Sequence, residues 1–119
     1  MGRAITFYRT PSGNCPVEDF FDGLPAAVVR KITWVLRIVE EENLVPAQYF
    51  KKLKDTEELW ECRINYGSST YRVLCFFAPC NRLVLTHGFM KKTQKTPQRE
   101  IARAETYRKD TLSRRHENE

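Results

Sequence analysis

The spacing of apolar residues predicts two helices in the first part of the chain. Between residues 28 and 39 apolar positions recur at intervals of three and four, which is typical of one buried helix face. This stripe consists of Val28, Val29, Ile32, Val35, Leu36 and Val39. Pro25 precedes it, and the acidic run 40–42 with Pro46 beyond it marks its end. A shorter helix is predicted from Pro16, with Val17, Phe20 and Phe21 as its apolar side.

Strand-like patterns occupy the start and the middle of the chain. Residues 3–9 are rich in Ile, Phe, Tyr and Thr, and three further apolar segments are predicted at about 59–66, 70–77 and 83–89. Turn residues separate them, namely Gly67-Ser68-Ser69 and Pro79-Cys80-Asn81. A last helix is predicted to begin at Pro97, with Thr96 as its cap and an inward side formed by Ile101, Ala104 and Tyr107.

This order of elements, β-α-α-β-β-β-α, predicts an α+β fold. We expect a small, mostly antiparallel sheet with the helices packed on one of its faces. A chain of 119 residues is long enough for one hydrophobic core and too short for two, so residues 1–112 are predicted to form a single domain. Residues 113–119 are predicted to be a disordered tail.

Composition narrows the class of protein. Hydrophobic residues at 41% and charged residues at 29% are ordinary for a globular domain. No apolar run is long enough to span a membrane, and the N-terminus is too short and polar for a signal peptide, so we expect a cytoplasmic protein. The four cysteines and two histidines show no zinc-ligand spacing, so neither a metal nor a cofactor is predicted. Cys62 and Cys75 are expected to be core thiols rather than disulfide partners.

The net charge of +5 is concentrated in the last third of the chain. Residues 1–81 carry ten Lys or Arg and ten Asp or Glu, whereas residues 82–119 carry ten against five. A basic region of this kind is typical of a phosphate-binding surface. A solvated helix face followed by a charged tail accounts for it equally well, so charge alone does not decide between the two.

Strand alternation predicts that Arg63 and Arg72 lie close together on one face of the sheet. If Tyr66 pairs with Tyr71, the even-numbered residues of 60–66 share an apolar face with the odd-numbered residues of 71–77, where helices are expected. Arg63 and Arg72 then lie on the opposite, open face as diagonal neighbours roughly 7–8 Å apart. Two like charges at this distance are unfavourable unless an anion lies between them, which predicts a phosphate site.

The segment after the third of these strands adds further cations. Lys91, Lys92 and Lys95 lead from the strand to a helix N-terminus, and Phe89 offers a ring on which a base can stack. The lysines are also explained by protection of a sheet edge. His87 lies across from Arg72 on the open face if the preceding turn has four residues, and points into the core if it has five. A packed, hydrogen-bonded histidine is therefore the alternative to a functional one.

Three motifs in this order resemble a known family. They are LWECRI at 59–64, YRVL at 71–74 and HGFMKKTQKTP at 87–97, followed by a basic helix. Together they resemble the phage-derived branch of the RelE/HigB toxins over roughly residues 3–112. The resemblance implies a RelE-like fold and ribosome-dependent mRNA cleavage, in which the ribose 2′-hydroxyl attacks the adjacent phosphate.

The resemblance also implies roles for individual residues. Arg72 matches the arginine that contacts the scissile phosphate, Arg63 matches a basic residue of the preceding strand, and Lys91 or Lys92 matches a basic position after the last strand. The implied catalytic set is Arg72, Arg63, Lys91 and Lys95, and the implied RNA-binding set is Lys92, Phe89, His87 and Arg99. The chain departs from RelE at Glu61, where RelE has a second basic residue. A tyrosine near the RelE C-terminus has only Tyr107 as a candidate here.

The family implies two partners, mRNA in the ribosomal A site and a cognate antitoxin, expected to be a helix-turn-helix protein of the HigA type. Two other functions remain open. A ParE-like toxin of the same fold inhibits DNA gyrase and needs no cluster of cations. A non-catalytic RNA-binding module, or an inactive toxin, uses the same cluster without cleaving RNA.

Overall fold

The computed structural model describes the backbone of residues 2–117 and the side chains of residues 2–114. This described part of the chain is an α+β fold in which five strands form one sheet and three helices pack against it. In chain order the elements are β1 (Ala4–Phe7), α1 (Pro16–Asp22), α2 (Ala26–Glu41), β2 (Phe50–Lys52), β3 (Leu59–Tyr66), β4 (Ser69–Ala78), β5 (Arg82–Lys91) and α3 (Gln98–Glu117).

The strands lie in the order β1-β5-β4-β3-β2. β1 is parallel to β5, and the other neighbours are antiparallel, so the sheet is mixed. The edge strand β2 is not predicted from the sequence, because its three residues, of which two are lysines, show neither alternation nor an apolar run. It forms where Phe50 pairs with Cys62 of β3 and its ring stacks on Trp60, 4.8 Å between centroids.

The first two helices confirm the prediction from the sequence. α1 begins at Pro16, and α2 begins after Pro25 and ends at Glu41. In α2 the predicted stripe is the buried face, with Val28, Ile32, Val35, Leu36 and Val39 inside the core. At the end of α2 the Glu40 carboxylate accepts a hydrogen bond from the backbone N–H of Ile5, and the Glu40 backbone carbonyl accepts one from the N–H of Arg3.

The last helix begins where the sequence predicts but extends further. The Pro97 carbonyl accepts the N–H groups of Glu100 and Ile101, which places Pro97 at the cap of α3. The Thr96 hydroxyl does not cap the helix and instead donates to Glu61. α3 continues to Glu117, so the predicted disordered tail is wrong as far as that residue, and residues 118–119 lie outside the described part of the chain.

The prediction that all helices pack on one face of the sheet is wrong. α1 and α2 cover one face, with Val17 and Ile32 packed against Cys62 and Val73. α3 covers the opposite face, where Ala104 packs against a second core of Tyr8, Leu59, Leu74, Phe76 and Val84. The reason lies in β4, whose residues 71–76 are all buried. Within it, residues 73–76 are apolar on both faces of the strand and need cover on both sides, unlike the alternating pattern of a half-exposed strand.

The register of β3 against β4 differs from the predicted one by two residues. Tyr66 pairs with Ser69 across the two-residue turn Gly67-Ser68, in which Gly67 has a φ of 60°. An even shift keeps every side chain on its predicted face, so the apolar face toward the helices is confirmed. Arg63 and Arg72 are consequently direct cross-strand partners rather than diagonal neighbours.

A bulge sets the register of β4 against β5. Cys75 pairs with Leu85, whereas Leu74 pairs with His87, so Thr86 is the extra residue. The Thr86 hydroxyl donates to the Leu74 carbonyl at 3.0 Å. Neither predicted turn length yields this pairing, because the loop has three residues and the bulge reverses the alternation beyond it. His87 therefore lies on the face that carries Arg72, but beneath α3.

Candidate functional site

Four strands place charged side chains on the α3 face of the sheet. Lys51 of β2 lies opposite Glu61 of β3, and Arg63 lies opposite Arg72 of β4. On β5, Phe89 faces Arg72, and Lys91 lies two positions further along the same face. The end of the sheet that emerges beyond the N-terminus of α3 is therefore lined with cations.

The carboxylate of Glu61 joins the two arginines. Glu61 is 5% exposed, and its Oε1 lies 3.5 Å from Nε of Arg63 and 3.5 Å from Nε of Arg72. Its Oε2 accepts a hydrogen bond of 3.0 Å from the Thr96 hydroxyl. One buried carboxylate thus holds both guanidinium groups and the loop that precedes α3. Sequence reasoning missed this role, because it treated Glu61 only as a departure from the family pattern.

The guanidinium of Arg72 is buried and only partly paired. Arg72 is 5% exposed, and its Nη1 donates to the backbone carbonyl of Tyr71 at 3.0 Å. Its Nε has no hydrogen-bond partner among the described residues. Burial lowers the pKa of Arg72, the charge of Glu61 raises it and the charge of Arg63 lowers it further. An arginine remains charged in this setting, and the carboxylate of Glu61 is the counter-charge next to it.

Arg63 is the more accessible member of the pair. Its side chain is 30% exposed, and its Nη1 donates to the Ala47 carbonyl at 3.2 Å. Its backbone N–H donates to the Tyr49 carbonyl. The segment before β2 therefore orients Arg63. Because Arg72 is buried, Arg63 is the arginine of the pair that reaches the opening of the site.

A cleft of about 520 Å³ opens beside these groups, between β2 and the N-terminus of α3. Among the side chains that the structure describes, two carboxylates line it, those of Glu61 and Asp55, together with six cations: Lys51, Lys52, Lys54, Arg63, Lys91 and Lys95. Burial lowers the pKa of Lys91, and the neighbouring charges of Arg72 and Arg63 lower it further. The cleft is thus a preorganised cationic site with one buried carboxylate in its wall.

The predicted catalytic residues come together. Arg63, Lys91 and Lys95 line the cleft, and Arg72 is linked to it through Glu61. The sequence analysis did not identify Lys51, Lys52 and Lys54 as site residues. Their signal was the basic run 51–54, which precedes the strand carrying Glu61 and Arg63. Only the pairing of β2 with β3 shows that this run forms a wall of the same cleft.

The prediction that His87 contacts RNA is not supported by its location. Its side chain is 1% exposed, its Nε2 lies 3.0 Å from Glu100 Oε1, and its Nδ1 lies 3.1 Å from the Thr86 hydroxyl. Burial, with the charge of Arg103 in addition, lowers the pKa of His87 to about 4. His87 is therefore the packed, hydrogen-bonded histidine that the sequence analysis gave as the alternative.

The other predicted RNA-binding residues lie around the cleft rather than along it. Phe89 is half-buried against the second core, with its ring centroid 6.0 Å from that of His87. Lys92 is exposed, and Arg99 is 82% exposed with its Nε 3.7 Å from a Glu100 oxygen. Tyr107 stacks on Tyr8 within the second core, 4.4 Å between ring centroids.

The cysteines in the described part of the chain are free thiols. Cys62 and Cys75 are buried and unbonded to each other, as predicted, and burial raises the pKa of Cys75 well above its usual range. Within residues 2–114, whose side chains the structure describes, no three His, Cys, Asp or Glu side chains converge in a way that would hold a metal ion. Over residues 2–117 no helix has the length and apolar character needed to cross a membrane.

Comparison with known families matches residues 19–109 to the phage-derived protein Gp49-like family (DUF891). The chain belongs to the Gp49-like family. This is a toxin-like family of phage origin, related to the RelE superfamily. The part of this Gp49-like protein that matches includes β2 to β5 and every residue that lines the cleft. No curated protein matches the sequence.

Proposed function

We propose that this protein is the toxin of a type II toxin–antitoxin pair and that it cleaves mRNA on the ribosome, as HigB-type toxins do. The observation that carries the proposal is the cationic cleft, in which Arg63 and Arg72 flank one buried carboxylate. Burying an arginine is costly unless it is paired, so a second arginine directly opposite is difficult to explain by stability alone. A phosphate bound beside the pair accounts for both.

The reaction is attack of a ribose 2′-oxygen on the adjacent phosphorus. The bond between phosphorus and the 5′-oxygen breaks, which leaves a cyclic phosphate on one fragment and a 5′-hydroxyl on the other. Negative charge builds up on the phosphate oxygens in the transition state. Arg63 lines the cleft where this charge would develop, and Arg72 lies behind it on the other side of Glu61. A well-placed donor of this kind is worth about 3 kcal/mol.

The remaining lysines bind rather than react. Lys51, Lys52, Lys54 and Lys95 also line the cleft, and we assign to them the phosphates on either side of the scissile one. Because the ribosome holds the codon in the A site, the protein needs to supply charge and position rather than sequence recognition of its own. The proposed site of action is the cytoplasm.

The proposed partner is a cognate antitoxin, expected to be a helix-turn-helix protein of the HigA type encoded beside the toxin. Its binding would prevent the cleft from reaching the ribosome. Co-expression of the neighbouring gene product is expected to relieve growth arrest caused by the toxin.

The test is brief induction of the protein in bacteria, followed by primer extension on a reporter mRNA, beside an Arg72→Ala control. In-frame cuts within translated codons that are absent in the control would support the proposal. Growth arrest without cuts would favour gyrase inhibition, and neither arrest nor cuts would favour a non-catalytic RNA-binding module.

A further inference from the structure

Cleavage of this kind requires a group that accepts the 2′-hydroxyl proton. Among the described residues that line the cleft, Glu61 and Asp55 are the carboxylates. Asp55 is exposed, whereas Glu61 is 5% exposed and fixed in position by three neighbours. The ring of His87 could also accept a proton, but it lies beneath α3 and is not among the residues that line the cleft.

We propose that Glu61 is the general base of the reaction, an inference that rests on the proposed function. The Glu61 carboxylate takes the proton from the 2′-hydroxyl while the 2′-oxygen bonds to phosphorus. As the bond from phosphorus to the 5′-oxygen breaks, the Lys91 ammonium gives a proton to that oxygen. The products are the cyclic phosphate and the 5′-hydroxyl, with Glu61 protonated and Lys91 neutral until solvent restores both.

The surroundings of Glu61 favour this transfer in spite of the two arginines. Protonation of a carboxylate that lies between two guanidinium groups would leave their positive charges without a partner. Here the charge that leaves Glu61 appears on the phosphate oxygens, next to the same Arg63 and Arg72. The net charge beside the arginines therefore stays constant during the step, and the arginines exchange one anionic partner for another without moving far.

Contacts on both of its oxygens fix the orientation of the Glu61 carboxylate. Both arginine Nε atoms approach Oε1, and the Thr96 hydroxyl donates to Oε2, so the group cannot rotate freely. Lys91 lines the same cleft, as the proposed acid must. Burial and the charge of Arg72 lower the pKa of Lys91, which makes its ammonium a better proton donor than an exposed lysine.

The experiment measures single-turnover cleavage on ribosomes that carry an mRNA with a defined A-site codon. Glu61→Gln keeps the size of the side chain and removes its basicity. We expect its cleavage rate to fall by about 100-fold or more. Its binding to the same complex, with a 2′-methoxy ribose that cannot react, is expected to stay within about threefold of wild type or to become tighter, because an anion next to the phosphate is lost.

A modified leaving group separates the base from the acid. When sulfur replaces the 5′-oxygen at the cut, the leaving group needs no proton, so Lys91→Ala should recover most of its lost rate and Glu61→Gln should recover none. Recovery of Glu61→Gln to the same extent as Lys91→Ala would contradict the assignment. If Glu61→Gln lowers the binding affinity by the same factor as the cleavage rate, Glu61 is a positioning residue. That result would also contradict its assignment as the general base.

Two further results complete the test. If Glu61→Gln does not fold, Glu61→Asp keeps the charge but withdraws the carboxylate by one methylene, and it must bind normally while cleaving more slowly than wild type. A folded Glu61→Asp with the wild-type rate overturns the inference. If the wild-type protein cleaves and Glu61→Gln is equally active, the role of Glu61 is wrong but the proposed function stands. Wild-type protein that cleaves nothing overturns the proposed function and the inference with it.

Discussion

Arg63 and Arg72 lie directly opposite each other on neighbouring antiparallel strands, and their Nε atoms are each 3.5 Å from the same oxygen of Glu61. Like charges in this cross-strand position destabilise a sheet. The single carboxylate balances one of the two, so the pair keeps an excess of one positive charge at the side of the cleft. This excess is what a phosphate would neutralise.

The first prediction concerns Arg72. Arg72→Ala is expected to lower the cleavage rate by about 10²–10³-fold, because a preorganised donor to the phosphate oxygens is lost. The fold should persist, since Glu61 keeps Arg63 and Thr96 as partners. Primer extension after brief induction measures cleavage, and circular dichroism of the purified variant measures folding.

Arg37→Ala is the matched control for Arg72→Ala, because Arg37 is exposed on α2, which covers the opposite face of the sheet. It should keep wild-type toxicity. A folded Arg72→Ala that remains fully toxic would remove Arg72 from the site.

The second prediction distinguishes two lysines that are three residues apart. Lys95 lines the cleft, whereas Lys92 is exposed outside the lining. Lys95→Ala should weaken binding of a non-cleavable single-stranded RNA and should reduce the slope of log affinity against log salt by about 0.7, the value for one phosphate contact. Lys92→Ala should leave the slope unchanged. Fluorescence anisotropy across a salt series measures both, and equal effects of the two variants would place the RNA path elsewhere.

The third prediction concerns stability at acid pH. Burial lowers the pKa of His87 to about 4, against an ordinary value of 6.5. His87 faces Thr86, Glu100, Arg103 and Tyr107. The folded protein keeps the ring neutral where the unfolded chain protonates it, so this contribution to stability is complete above pH 6.5 and is lost as the pH falls from 6.5 to 4. The loss is roughly 3 kcal/mol.

Urea denaturation at several pH values tests the His87 contribution. His87→Gln lacks the titrating ring but keeps the carboxylates that also titrate in this range, so subtracting its curve isolates the histidine. The difference between the two proteins should appear between pH 6.5 and 4. Parallel curves for the two proteins would show that His87 titrates normally.

The fourth prediction concerns the packing of α1 on the sheet. A Cβ added at Gly88 would lie 2.3 Å from Cδ2 of the Phe20 ring. Gly88→Ala is therefore expected to lower the free energy of unfolding by about 1–3 kcal/mol, the usual cost of overpacking. Gly23→Ala is the control, because the nearest atom to its added Cβ is 3.7 Å away. If Gly88→Ala lowers stability as much in a Phe20→Ala background as in the wild type, the clash is not the cause.

Much of the fold follows from local pattern. The apolar stripe of α2 and the prolines at 16 and 25 predict two helices, because a helix face repeats at fixed spacing and proline fits its first turn. The face shared by Arg63 and Arg72 is also predictable, since strand alternation survives a register error of two residues. The register itself is not, because it depends on turn length, and four residues between Tyr66 and Tyr71 look as plausible in sequence as the two-residue turn observed.

The α+β class, the two N-terminal helices, the three long strands and the cations of β3 to β5 are all readable from the sequence, because each depends on the spacing of neighbouring residues. The remaining features appear only in the folded chain. The Thr86 bulge buries His87, α3 covers the second face, β2 brings Lys51 to Lys54 to the cleft, and Glu61 comes between the arginines. These features depend on contacts between segments far apart in the chain, whose geometry no local period encodes.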